Sequence, residues 1–202
     1  MNRRFTAALG LFVLVLTTAF SLPLHADSTA LGLLKTHISN LQQVLSDPKL
    51  ASDEHLIQRR KSERAILQQL FDFQEMAQRS LGANARRYND RLGEFTPLFI
   101  DFLEHAYMGT LEENGDAKIQ YLREIVVDDS VEINTKTSLK NGREYRVDYR
   151  LFLSPAGWRA YDVIVEGISL VGNYRSQFDR VLKKKSFDEL LQDLREKKDK
   201  LD

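Results

Sequence analysis

The sequence contains no cysteine, only four prolines and one tryptophan, and its 29 basic residues balance its 29 acidic residues. Without cysteine the chain cannot form a disulfide framework, so its fold must depend on a hydrophobic core. Without an excess of basic residues it has no electrostatic attraction for a phosphate backbone. We therefore exclude nucleic acid as a partner.

Enzyme motifs are missing as well. The sequence has no P-loop, no G-x-G-x-x-G and no H-E-x-x-H. Gly167–Gly172 comes nearest to a nucleophile elbow, but its second glycine lies one residue too far from Ser169. His37, His55 and His105 fall in separate helical segments without the spacing of metal ligands. We predict no enzymatic activity, no cofactor and no metal site.

Met1–Ala26 has the layout of a secretory signal peptide. A short basic start at Asn2–Arg4 precedes the apolar run Ala7–Phe20, and Pro23 breaks the chain shortly before Ala26. The apolar run is shorter than the roughly 20 residues that span a bilayer, which favours cleavage over anchoring. The sequence therefore predicts an exported, periplasmic protein that is cleaved after about Ala26.

The predicted mature chain, residues 27–202, forms one domain without repeats or linkers. Met1–Ala26 holds two of the 29 basic residues and none of the 29 acidic ones, so the remainder has a formal charge of −2. No cysteine follows the apolar run to carry a lipid anchor. We expect a monomer that moves freely in its compartment.

The first half of this domain has the three- and four-residue periodicity of helices. A first apolar stripe ends at Asp47–Pro48 and consists of Leu31, Leu34, Ile38, Leu41 and Leu45. Ser52 is a possible cap of a second helix. That helix has a basic run made of Arg59, Arg60, Lys61 and Arg64. We interpret the run as a solvated face; the alternative is docking to an acidic partner or to lipid headgroups.

Two further helical segments follow. Phe71–Gly82 carries an apolar side and ends plausibly at Gly82. Asn89–Glu113 has a long aromatic stripe that contains Pro97. Proline inside a helix either kinks it or marks its start, so a helix beginning at Pro97 with Thr96 as its cap remains an alternative.

From Lys118 onward the residues alternate between apolar and polar, as in strands with one buried face. Asn141-Gly142 is the strongest hairpin signal, and Pro155–Gly157 predicts another tight connection. Four sequential strands joined by short turns predict an antiparallel meander. The fold class is therefore α+β, with this four-stranded sheet covered by N-terminal and C-terminal helices.

Trp158–Phe178 organises the chain, because a strand passes into a helix there with almost no loop. Tyr161, Val163 and Val165 are expected to share one face of the strand, with Asp162 on the other as a solvated or ion-paired edge residue. From Leu170 the apolar residues recur at helical steps instead. Both apolar faces must either pack on each other or enclose something apolar.

Three segments carry a resemblance to a known family: YDVIVEGISLVGNYRSQF at 161–178, FDFQEMAQRSLG at 71–82, and Phe95–Tyr107. They resemble the MlaC family of periplasmic phospholipid-binding proteins, also called toluene-tolerance auxiliary proteins. The resemblance implies an NTF2-like fold around an apolar cavity and a diacyl phospholipid ligand. It also implies shuttling between an outer-membrane lipoprotein complex and an inner-membrane ABC transporter with an MCE-domain subunit.

A carrier of this kind needs apolar walls around the acyl chains. We expect Arg175 at the headgroup, or else in an ion pair with Glu166 or Asp179. The expected lining consists of Phe73, Met76, Phe99, Leu103, Val147, Tyr149, Leu151, Tyr161, Val163, Val165, Leu170, Tyr174 and Phe178.

Two alternatives to a lipid carrier remain. An NTF2-like isomerase or dehydratase could use a tyrosine and a buried carboxylate on a hydrophobic substrate, with Tyr149, Tyr161 and Asp162 as candidates. A periplasmic chaperone or adaptor could instead offer its apolar groove to a protein.

Overall fold

A computed structural model describes residues 29–50 and 52–199 of the chain. The predicted signal peptide, Met1–Ala26, lies outside the described residues. The fold is α+β, with helices on both sides of one antiparallel sheet. The helices are α1 (Ala30–Ser46), α2 (Leu56–Leu70), α3 (Phe73–Leu81), α4 (Asn84–Arg87), α5 (Leu92–Glu113), α6 (Leu170–Leu182) and α7 (Phe187–Asp199). The strands are β1 (Lys118–Val127), β2 (Ser130–Ser138), β3 (Glu144–Ser154), β4 (Gly157–Val165) and β5 (Ile168–Ser169).

The sheet has five strands in the order β1-β2-β3-β4-β5, so the prediction of four strands was wrong by one. The fifth strand exists because Glu166 and Gly167 both adopt positive φ angles, 50° and 80°. Two successive residues of this kind make the tight turn that reverses a strand. Ile168 and Ser169 therefore pair back onto the end of β4 before α6 begins.

The register between β3 and β4 corrects the predicted faces of β4. Arg150 pairs with Asp162, but the next residue of β3, Leu151, pairs with Ala160, so Tyr161 is an extra residue in a β-bulge. A bulge shifts the alternation of side chains on one side of it relative to the other. Tyr161 consequently does not share a face with Val163, contrary to the sequence-based expectation.

Both faces of the sheet have a distinct character. We call the face against α1 and α2 the front face; it is apolar and carries Val131, Ile133, Tyr149, Leu151, Ala160 and Val163. The opposite face, called the back face, carries a lattice of charged and amide side chains. In that lattice Arg150 Nε donates to Glu132 at 3.0 Å and Arg146 Nε donates to Asp148 at 2.7 Å.

Five helices form a second apolar layer apart from the front face. Its core joins α3, α5, α6 and α7, with Tyr161 and Phe152 contributed by the sheet. Aromatic rings fill it: the Phe95 and Phe178 centroids are 5.5 Å apart, and those of Phe99 and Tyr174 are also 5.5 Å apart. We call this layer the helix core. Its α4 member contributes only Ala85 at the margin.

The local sequence signals predict two helix ends correctly and two helix starts wrongly. α1 ends next to Asp47, and the Gly82 residue after α3 has a positive φ of 57°. Ser52 does not cap α2, because a single 3-10 turn intervenes and the N-cap residue is His55. A helix starting at Pro97 is also wrong, since α5 begins at Leu92 and contains Pro97.

Gly82 offers a test of the close contact between α3 and α6. Its φ of 57° and ψ of −126° suit glycine, and a Cβ there would lie 3.0 Å from Cγ and Cδ of Arg175. We expect Gly82→Ala to lower the free energy of unfolding by about 1–3 kcal/mol. Urea denaturation measures this loss. Gly93→Ala is the control, because Gly93 lies in α5 with nothing within 4 Å of its Cβ position. That change should be neutral or stabilising by up to about 1 kcal/mol, and equal losses in both variants would contradict the explanation.

Candidate functional site

The front face and the two helices over it form an apolar layer that is only partly closed. Ala30, Leu33, Leu34 and Ile38 of α1 and Leu70 of α2 are buried against the strands. Around this buried centre lie half-buried apolar side chains, namely Ile119, Tyr121, Val147, Trp158 and Val163. Apolar side chains that remain half in contact with solvent, under two helices, can accept a further apolar molecule. We call this region the front layer.

The front layer is electrically neutral at its centre. Burial raises the pKa of Tyr149, and the neighbouring Tyr121 raises it further. Burial also raises the pKa of Tyr121. Both phenols therefore stay protonated at neutral pH. A cation, Lys35 of α1, lies at the edge of this layer, with its Nζ 5.2 Å from the centre of the Tyr121 ring. A neutral, aromatic lining suits hydrocarbon better than a charged ligand.

The predicted lining residues do not form one continuous wall. Val147, Tyr149, Leu151 and Val163 belong to the front layer. Val165 lies on the same face but is 45% exposed at the end of β4. The remaining predicted residues belong to the helix core: Phe73, Met76, Phe99, Leu103, Tyr161, Leu170, Tyr174 and Phe178.

The helix core is a filled interior where its members meet. Phe99 is fully buried, and its ring centroid lies 5.7 Å from that of Phe178 and 5.5 Å from that of Tyr174. Tyr174 in turn stacks on Phe178 at 5.7 Å. Rings at these separations and angles make favourable stacked and edge-to-face contacts with one another. In the front layer, by contrast, Val147 and Val163 are only half-buried, although Tyr149 and Leu151 between them are buried.

The alternative catalytic constellation is not assembled. Tyr149 faces the front layer, whereas Asp162 pairs across the sheet with Arg150 on the back face. A single pocket cannot receive both side chains. Within residues 29–50 and 52–199 there is also no group of three or more His, Asp or Glu side chains that could hold a metal ion.

The basic run of α2 contacts α5. Arg59 Nη2 lies 3.1 Å from Glu112 Oε1, Arg60 Nε lies 3.3 Å from the same oxygen, and Arg64 pairs with Glu104. Three of the four basic residues in this run therefore form ion pairs within the protein. The run is not simply a solvated face, and these three charges are already paired. These ion pairs hold α2 against α5 at the side of the front layer.

Glu63 was missed by the sequence analysis, since a charged residue on a polar helix gives no sign of burial. It is fully buried in α2, with its Oε1 3.4 Å from Arg59 Nε. Burial raises its pKa, and the nearby Glu112 adds to the rise, while Arg59 and Arg60 oppose it. An ionised carboxylate here therefore costs stability.

We expect Glu63→Gln to stabilise the protein at pH 7. Because the pKa of Glu63 is higher in the folded state than its ordinary value of 4.5, the wild type loses stability as pH rises from there through the folded-state pKa. The variant should lose this part of the pH dependence, and Arg59 keeps Glu112 as its partner. Urea denaturation between pH 4 and pH 8 measures the free energy of unfolding of both proteins as a function of pH. Glu113→Gln, at an exposed position of α5, should leave the pH profile unchanged; a profile for Glu63→Gln that parallels the wild type would refute the explanation.

Arg175 lies apart from the front layer. Its Nε donates to the backbone carbonyl of Arg79 at 3.0 Å, at the end of α3. The acids considered as its ion-pair partners bind elsewhere: Asp179 pairs with Lys183 at 2.6 Å, and Glu166 accepts from the Arg146 N–H at 2.5 Å. Arg175 thus contacts the junction of α3 and α6.

Comparisons with known proteins fit this architecture. The sequence matches the family profile described as MlaC protein over residues 35–196, from within α1 to within α7. The chain belongs to the MlaC family. A phospholipid-binding protein from Ralstonia solanacearum, solved in complex with a phospholipid, has a similar structure with a TM-score of 0.72 and 24% sequence identity. The alignment covers 87% of this chain and 99% of that chain, and at this identity it shows the shared fold. No curated protein matches the sequence.

Asp162 connects the strand and the helix of the segment 161–178 through hydrogen bonds. This residue is 2% exposed and accepts hydrogen bonds from Ser169 Oγ at 2.5 Å and from the Val171 N–H at 3.0 Å. Ser169 Oγ also accepts from the Gly172 N–H as the N-cap of α6. One carboxylate thus joins β4, β5 and the first turn of α6, where the sequence analysis had expected only an edge residue.

No helix within the described residues of this MlaC-family chain is long and apolar enough to cross a membrane.

Proposed function

We propose that this protein is a soluble periplasmic carrier of diacyl phospholipids, and that the acyl chains bind in the front layer. The main supporting observation is the apolar face formed by Val147, Tyr149, Leu151 and Val163 beneath α1, in which Val147 and Val163 are only half-buried. Membership of the MlaC family and a similar structure solved with a phospholipid support the choice of ligand.

The size of the ligand defines what the site must do. A diacyl phospholipid has roughly 30 methylenes, and exposing them to water costs about 0.8 kcal/mol each, or on the order of 20–25 kcal/mol. A flat patch cannot offset this cost, so both chains must enter an enclosed space. We propose that α1 and α2 move away from the front face to admit them, forming the NTF2-like cavity, while the helix core stays packed.

The remaining parts of the proposal rest on the N-terminal sequence pattern and on membership of the MlaC family. Met1–Ala26 is proposed to be a cleaved signal peptide, and residues 27–202 to be the single phospholipid-binding domain. The proposed partners are an outer-membrane lipoprotein complex and an inner-membrane ABC transporter with an MCE-domain subunit. The chain supplies no energy source and is proposed to act as a monomeric, non-enzymatic carrier that helps to maintain outer-membrane lipid asymmetry.

Extraction of the native protein tests the ligand. The protein is purified from the periplasm without detergent and extracted with organic solvent, and the released molecules are identified by mass spectrometry. We expect diacyl phospholipid at close to one molecule per chain. An extract free of lipid, or one that contains a bound peptide, would reject the carrier in favour of the isomerase or the chaperone alternative.

A further inference from the structure

A second concave site lies away from the front layer, between α3, α4 and α6. It is a surface pocket of about 410 Å³. Its polar lining consists of Glu75, Gln78, Arg79, Arg86, Asn89 and Arg175. This volume is large enough for a small anionic group and the few atoms attached to it.

The charges in this pocket do not balance. Three guanidinium groups face one carboxylate, and that carboxylate is already engaged, because Glu75 Oε1 accepts from Arg79 at 2.7 Å. Arg79 also lies over the Tyr161 ring at 3.9 Å. Within residues 29–50 and 52–199, Arg86 has no acidic partner and Arg175 makes a single hydrogen bond. Two positive charges are therefore available to a ligand.

The backbone around the pocket positions one of these charges. The Arg175 side chain crosses Gly82 so closely that a Cβ there would come within 3.0 Å of its Cγ and Cδ. Its Nε–H is directed to the Arg79 carbonyl at 3.0 Å. This leaves the two terminal nitrogens of Arg175 on a side chain whose stem is already fixed. A fixed guanidinium loses less conformational entropy when it binds an anion.

We propose that this pocket binds a phosphate group. The planar fork of an arginine matches two oxygens of a phosphate, and charge-assisted bonds of this kind are stronger than neutral ones. The amides of Gln78 and Asn89 add uncharged donors. The site lies beside α3 and α6, apart from the front layer, so it is additional to the proposed acyl site. Free inorganic phosphate and the phosphate of a lipid headgroup share the chemistry that it recognises.

Titration with phosphate tests the site. Isothermal titration calorimetry of the full-length purified protein with inorganic phosphate, and separately with sn-glycerol 3-phosphate, gives the affinity at low ionic strength. We expect Arg86→Gln/Arg175→Gln to weaken binding at least tenfold. Arg180→Gln is the matched control, because Arg180 is exposed on the same helix α6 and lies outside the pocket lining; it should bind as the wild type does. Unchanged phosphate binding by the double variant would overturn the proposal. Displacement of the bound phosphate by an equal concentration of chloride would also overturn it, because it indicates an adventitious ion only.

Vesicles separate the two sources of phosphate. Flotation with phosphatidylglycerol vesicles tests the lipid headgroup as the source. If the wild-type protein floats with the vesicles and the double variant does not, the ligand is a lipid headgroup. Binding of free phosphate with no flotation would identify the soluble ion. Binding of an acidic peptide in place of any phosphate would refute the site. The lipid that co-purifies should be the same in wild type and double variant, so the acyl site and the phosphate site fail independently.

Discussion

Val163→Arg should abolish the lipid that co-purifies with the protein while leaving the chain folded. Val163 is half-buried in the front layer, opposite Tyr149 on the neighbouring strand. A guanidinium there must stay hydrated, and a hydrated charge inside a hydrocarbon-filled space costs several kcal/mol. Without lipid the long side chain can reach solvent beside α1, so the fold survives. Mass spectrometry of the extract measures the loss, which we expect to exceed tenfold.

Two further variants make this prediction specific. Val147→Glu places the opposite charge on the adjacent strand of the same layer, and we expect the same loss. Val127→Arg is the matched control, because Val127 is 49% exposed on β1 and pairs with Ser130 on the back face, so it should retain wild-type lipid. Far-UV circular dichroism and size-exclusion chromatography establish folding and monomeric state. A folded Val163→Arg protein with a full complement of lipid would refute the assignment of the front layer.

Local signals in the sequence were sufficient for most of the fold. The helix ending at Asp47 and the hairpin at Asn141-Gly142 depend on residues a few positions apart, and both are present. The tight connection at Pro155–Gly157 is present for the same reason. Short-range backbone preferences act before any tertiary contact forms, so a reader of the sequence can apply them directly.

The division of the apolar residues between two layers was not predictable in this way. Tyr161, Val163 and Val165 alternate perfectly in sequence, and the bulge at Tyr161 becomes apparent only from the pairing of β4 with β3. Periodicity indicates that a side chain is buried, but the partner strand decides on which side. The bulge therefore accounts for Tyr161 among the eight predicted lining residues that lie in the helix core, while four lie in the front layer. The other seven helix-core residues are on helices, and periodicity does not show against which layer a helix packs.

The polar groups that organise the site were the least predictable. Glu63 and Asp162 are charged residues that ordinary propensity assigns to the surface, yet they are 0% and 2% exposed. Their burial depends on tertiary packing: Glu63 lies near Glu112 of α5, and Asp162 accepts hydrogen bonds from Ser169 Oγ and the Val171 N–H. Arg175 was noticed as a headgroup candidate, but its position beside Arg86 depends on the packing of α6 on α3 and α4.

Asp162→Ala should be the most destabilising polar substitution among those considered. It removes the acceptor of the Val171 N–H and of Ser169 Oγ, both at the buried start of α6. Hydrogen bonds to a charged group contribute about 1.5–3 kcal/mol, and a buried donor left without an acceptor costs about 1–3 kcal/mol. We expect a loss of about 3 kcal/mol, or a fall in Tm of roughly 6–12 °C for a chain of this size.

Asp162→Ala removes both the hydrogen bonds at the β4–α6 junction and an ion pair with Arg150. A control variant separates these two contributions to the loss of stability. Arg150 lies 3.6 Å from Asp162 and also donates to Glu132 at 3.0 Å, so Glu132→Ala removes a partner of the same arginine without touching α6. Glu132 also accepts from Asn134 Nδ2 at 3.0 Å, so that control should cost about 1–2 kcal/mol, less than Asp162→Ala. Thermal and urea unfolding measure both variants. Equal losses would assign the effect to the charge lattice of the back face, and the carboxylate would then not be what joins β4 to α6.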